Sequence, residues 1–157
     1  MIRSRKHGYT IIEMLVVMVV LSVLATAAMP LVELSVKRNK ERALRQELWE
    51  IRHAIDAYRR AYESGRIGDV FNTSGYPPSL GVLVTGVPDL KNSGQPIYFL
   101  RRLPRDPFAP PTETPEKSWG LRSYASTPDE PKEGGDVFDV YSKSDQIGMN
   151  GIPYRQW

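Results

Sequence analysis

The sequence predicts an α+β fold, with one long N-terminal helix packed against a small C-terminal antiparallel sheet. Three observations carry this. From Met14 to Val32 no side chain is charged, a run long enough to cross a hydrocarbon core of roughly 30 Å as a helix. Directly after it, Leu44, Leu48, Ile51, Ile55, Tyr58 and Tyr62 recur at alternating steps of four and three, which lays one apolar stripe along an amphipathic helix. Two stretches near the other end, Trp119–Ser126 and Asp136–Ser142, have strand character and are joined by a hydrophilic loop.

Residues 1–8, MIRSRKHG, are cationic through Arg3, Arg5 and Lys6. Residues 9–32 form the apolar half of the helix. Its many β-branched residues would weaken a helix in water, but in lipid the backbone must bond to itself. Glu13 stands at the front edge of this run, where a simple anchor has no use for it. Pro30 lacks an amide hydrogen and clashes with the carbonyl of Thr26, so a kink or meltable turn is expected over 26–30. Residues 33–63 continue as the amphipathic half, with Glu41 and Arg45 spaced as a helix pair and Gly65 as the stop.

The rest of 33–157 is one domain. Ser79–Val84 reads as a short helical piece, Val87-Pro88-Asp89-Leu90 and Asn92-Ser93-Gly94 as turns, and Ile97–Leu100 as core or a crossing. In the last strand Phe138 and Val140 are placed on one face, with Val137, Asp139 and Tyr141 on the other. The tail Gln146–Trp157 is expected to pack back on the sheet.

Composition narrows the chemistry. The 157 residues contain no Cys, which excludes disulfides and thiolate metal sites. A net charge of +3 does not call for nucleic acid. No phosphate loop, His-x-x-x-His or nucleophile motif occurs. His53 is a lone helical histidine and reads as structural. The acids Asp129, Glu130 and Glu133 read as a solvated loop.

Gly8-Tyr9-Thr10-Ile11-Ile12-Glu13-Met14-Leu15 resembles the class III signal of type IV pilins and type II secretion pseudopilins. Tyr9 stands where that family usually has Phe. Leu103-Pro104-Arg105-Asp106-Pro107-Phe108 is similar to a stretch of the major, G-type pseudopilins, with Phe108 and Ala109 in place of Trp and Gly. Phe138–Asp145 is similar to their last strand region. The resemblance implies a leader over 1–8, cut by a prepilin peptidase between Gly8 and Tyr9, and N-methylation of Tyr9. It implies that Glu13 serves assembly, meeting the Tyr9 amine of an adjoining subunit, and that Pro30 marks the helix break.

The function so implied is that of a structural, non-enzymatic subunit of a secretion pseudopilus. It would be anchored by a single span in the bacterial inner membrane with its C-terminal domain periplasmic. Its partners would be further copies of itself as a homopolymer, the prepilin peptidase, other pseudopilins and the inner-membrane secretion platform. Charge counting leaves the orientation open, because Lys37, Arg38, Lys40, Arg42 and Arg45 follow the span; the resemblance sets it. A secretory signal is outweighed by the length of the apolar run and the place of Glu13. Two alternatives remain: a type IV or competence pilin, and a membrane-anchored periplasmic binding module.

No cofactor is expected. Major pseudopilins often hold Ca²⁺ after the last strand, and Asp145 falls at the start of the matching region. No second acid follows it, and Ca²⁺ takes roughly six to eight oxygens, several of them carboxylates. Asn150, Ser142, Ser144 and carbonyls are the other donors at hand. The expectation is that the site has been lost, with Pro153, Tyr154 and Trp157 tethering the tail instead.

Overall fold

The computed structural model describes residues 8–68 and 74–157; within them the side chains of Ala27, Ala28 and Pro30 are not described. The basic leader residues Arg3, Arg5 and Lys6 lie outside the described residues. The chain divides into two units, Met1–Asn39 and Lys40–Trp157.

Helix α1 runs over Ile11–Glu63. In the first unit its described side chains through Val36 are exposed, and α1 is long and apolar enough to cross a membrane. Ser22 Oγ donates to the Met18 carbonyl and Thr26 Oγ1 to the Ser22 carbonyl, both at 2.8 Å. Such back-bonding satisfies hydroxyls that lipid cannot.

In the second unit the apolar stripe turns inward. Leu44, Leu48, Ile51, Ile55 and Tyr58 are all at most 3% exposed, each removal from water contributing about 1.5–3 kcal/mol. Gly65 ends α1 with φ 67°. The Arg66 amide donates to the Ala61 carbonyl and the Gly65 amide to that of Tyr62. This is a Schellman closure, which a residue with a side chain resists at that φ.

The cover over the stripe comes from short pieces. Helix α2, Leu80–Thr85, buries Leu80 and Leu83 and agrees with the expected helical turn. Strands β1, Val87–Pro88, and β2, Pro96–Ile97, form an antiparallel pair. Both segments were expected to be turn or crossing, and here the structure corrects the sequence reading. Pro88 faces Pro96 at a non-hydrogen-bonded position, where a missing amide hydrogen is tolerated, and the Asp89 amide donates to the Gln95 carbonyl at 2.9 Å just beyond. Asp89 closes the turn between them by accepting from the Lys91 amide at 3.0 Å and pairing with Arg66. That bond from Arg66, with burial opposing and the Lys91 amide assisting, holds its carboxyl below the usual range.

Helix α3, Pro115–Ser118, leads into β3, Trp119–Arg122, which pairs antiparallel with β4, Asp139–Ser142. Both strands are shorter than expected. Asp136 is the reason: its carboxylate accepts from Ser123 Oγ at 2.6 Å and the Tyr124 amide at 3.0 Å, pinning the loop across the base of the hairpin. Burial alone would raise the Asp136 pKa, but these donors and Ser74 bring it below the usual value. The alternation is therefore broken before β4. Val137 is buried beside Val140 rather than opposite it, because its amide donates to Pro77 instead of entering the ladder. Gly120 lies across from Tyr141, and a Cβ there would collide with the Tyr141 ring.

Candidate functional site

The first site is the exposed start of α1. Thr10 and Glu13 form a reciprocal cap. The Glu13 amide donates to Thr10 Oγ1 at 3.3 Å, and Glu13 Oε2 accepts from the Thr10 amide at 3.4 Å. Two of the otherwise orphaned amides at the helix start are met this way, and the carboxylate lies at the positive end of the helix dipole. Tyr9 is 75% exposed. A Cβ on Gly8 would meet nothing within 4 Å, and its φ is not in the left-handed region. The fold itself thus makes no demand for glycine at position 8. Pro30 falls within α1.

The second site is the segment Leu103–Phe108, where the structure supplies what sequence reasoning lacked. Asp106 is 2% exposed. Its carboxylate accepts from Ser142 Oγ of β4 at 2.6 Å and from the Phe108 amide at 2.8 Å, while its own amide receives Ser118 Oγ as acceptor at 3.2 Å. Trp119 Nε1 donates to the Pro104 carbonyl at 2.9 Å. The Pro-x-Asp-Pro segment is a clasp joining α3, β3 and β4.

The third is the tail. Tyr154 begins a 3-10 turn, Tyr154–Gln156, and is fully buried. It stacks on Phe108 at 4.1 Å and meets Trp157 edge-on at 5.0 Å. Its hydroxyl donates to Glu41 Oε1 at 3.0 Å, and the Met149 amide donates to the same oxygen at 2.8 Å. Burial, and then the bond and charge of Glu41, push the Tyr154 pKa up to about 12. Arg52 completes the lock, donating to Asp139, to the Val140 carbonyl and, at 2.7 Å, to that of Trp157. The expected tail packing is present, but Glu41 and Arg52 of α1 hold it, and neither was singled out for that from sequence.

Asp145 is exposed. The donors near it in sequence are already engaged: Ser142 with Asp106, Ser144 Oγ with the Gln146 amide, and Asn150 Oδ1 with the Ile152 amide. Among the described residues no three His, Cys, Asp or Glu side chains come together in a way that could hold a metal. This donor set does not fit the oxygen-rich shell that Ca²⁺ requires.

Glu47, read from the sequence as one of the acids on the wet face of the helix with Glu33, Glu41, Glu50 and Asp56, is instead half-buried. Its Oε2 is buried with no hydrogen-bond partner. Burial first, then the Asp106 and Glu50 carboxylates, raise its pKa from 4.5 to about 7, with Arg102 opposing.

Comparison with known proteins agrees with the helix-start geometry. Residues 3–29 match the model of the prokaryotic N-terminal methylation motif. The chain is 34% identical over 110 residues to the type II secretion system core protein G of Dickeya chrysanthemi, covering 66% of this chain and 64% of that protein. It thus spans just under two thirds of that relative's length. No solved structure matches significantly. The chain is an α+β protein, a long N-terminal helix with small antiparallel sheets, and its apolar helix start carries the prokaryotic N-terminal methylation motif. The methylation motif and core protein G are what this chain is similar to at its helix start and over most of its length.

Proposed function

We propose that this chain is a structural subunit of a type II secretion pseudopilus, polymerising from the inner membrane to help drive export of folded proteins. The observation that carries the reading is the methylation motif lying on an exposed, apolar helix start. Its work is mechanical rather than catalytic. Prepilin peptidase cuts between Gly8 and Tyr9, the new Tyr9 amine is methylated, and residues 9–157 remain. The domain after the span is periplasmic. Partners are further copies of the chain, other pseudopilins and the inner-membrane platform.

Glu13 is the assembly residue. A carboxylate at membrane depth costs about 2.5–3.5 kcal/mol on insertion scales, and the Thr10 cap offsets only part of that. The Tyr9 amine of an adjoining subunit supplies the missing cation. Around Pro30 the helix yields, so that subunits lengthen without losing their packing. The segment after β4 is held by Glu41 and Arg52 and does not depend on calcium.

Intact mass tests the processing: the mature protein should weigh residues 9–157 plus one methyl group. A mature chain starting near Ala28 or Met29 overturns it. Glu13→Ala should insert and be cleaved yet give few filaments by electron microscopy; normal filament yield removes the assembly role.

A further inference from the structure

One surface feature of the second unit is used by none of this. Between α1 and the segment Phe99–Arg102 lies an open furrow of about 540 Å³. Trp49 forms its rim, 64% exposed and stacked on His53 with ring centroids 4.7 Å apart and planes at 17°. Phe99, Leu100 and the exposed Arg101 and Arg102 also line the furrow. The stacked indole leaves a broad apolar face open to a partner. Trp and Arg are also the side chains that dominate binding energy at interfaces.

The same chain carries a segment of complementary chemistry. The β3–β4 loop contains Pro128-Asp129-Glu130-Pro131, exposed apart from the half-buried Pro131. Two prolines fix their φ and favour an extended backbone, the form that aromatic-lined grooves accept. In its own chain this loop is closed on the end of β3, where the Ser123 amide and Ser126 Oγ donate to the Lys132 carbonyl. None of its residues lines the furrow.

We propose that the furrow receives the Pro128–Pro131 loop of a second copy of this chain. Proline rings lie on the Trp49 indole, and Asp129 and Glu130 face Arg101 and Arg102, which outnumber the one acid of the furrow, Glu50. Furrow and loop are different surfaces, so the contact is head-to-tail, the kind that builds an open filament when its rotation does not close a ring. The inference deepens the filament reading and rests on it.

The absence of cysteine makes a clean test available. Full-length chain carrying His53→Cys and Asp129→Cys, expressed in cells that assemble the filament, is treated with a short bis-maleimide. A ladder of cross-linked multimers is expected. Co-expressed single variants should stop at dimers, and either one alone should give none. Arg101→Glu with Arg102→Glu should lose filaments, and adding Asp129→Lys with Glu130→Lys should restore them. Filaments present without cross-links or charge rescue overturn this contact alone. Absence of filaments from the unsubstituted chain overturns the polymer reading and this contact with it.

Discussion

Replacing Glu41 by Ala should release the tail. Glu41 is 4% exposed, and its Oε1 accepts from the buried Tyr154 hydroxyl at 3.0 Å and from the Met149 amide at 2.8 Å. Hydrogen bonds to a charged group contribute about 1.5–3 kcal/mol each, and truncation also leaves the Tyr154 hydroxyl buried without an acceptor. The expected cost is about 3–5 kcal/mol. For a domain of roughly a hundred residues, 1 kcal/mol shifts Tm by about 4–8 °C, so Tm should fall by at least about 12 °C. Glu41→Gln and Tyr154→Phe remove less, about 1–2 kcal/mol each, and should be coupled in a double-mutant cycle. The assay is near-ultraviolet circular dichroism of the detergent-solubilised chain during thermal unfolding. The pH dependence gives an independent sign. Burial and Glu41 raise the Tyr154 pKa from 10.0 to about 12. Its contribution is therefore complete below pH 10 and lost as pH rises through about 12, and Tyr154→Phe should flatten that alkaline slope. A Glu41→Ala chain within about 0.5 kcal/mol of the parent, the ordinary range for surface changes, would refute the lock.

Three further outcomes follow from the same geometry. Glu47 has its pKa raised to about 7, chiefly by burial, so the stability of its neutral form is complete below pH 4.5 and lost as pH rises through 7. Glu47→Gln should then stabilise the chain at pH 8 by about 1 kcal/mol, after discounting for solvent screening, and much less at pH 5; chemical denaturation at the two values checks this. Gly120→Ala should cost about 1–3 kcal/mol through overpacking against the Tyr141 ring, and a second change, Tyr141→Leu, should recover part of the loss. Millimolar Ca²⁺ should leave the melting temperature equal to that in chelator; a rise of several degrees that vanishes in Asp145→Ala would show a calcium site.

The stripe Leu44 to Tyr62 shows how far one sequence reaches. Its periodicity marks the buried face of α1 because a helix repeats its faces every 3.6 residues regardless of what covers them. The span and the helix stop at Gly65 were legible for the same reason: each depends on properties of residues close in sequence. The strand ends were not. Trp119–Ser126 has strand composition throughout, yet Asp136 ends the ladder at Arg122 by binding Ser123 and Tyr124, and no local pattern announces that reach. Likewise Val87-Pro88 reads as a turn and Ile97 as core or a crossing, and the two segments pair because the loop between them folds on Asp89.

Glu41 marks the boundary most sharply. It lies one step of three before Leu44, on the apolar stripe itself, so its inward position was present in the spacing. By itself the sequence determined the membrane-length helix, the motif at its start and the buried stripe, since these follow from residues close together in the chain. Only the tertiary structure decided what a carboxylate on that stripe would face. Its partners, Tyr154 and the Met149 amide, lie more than a hundred residues away, and pairing at that distance is fixed by packing of the whole domain rather than by any neighbouring residue.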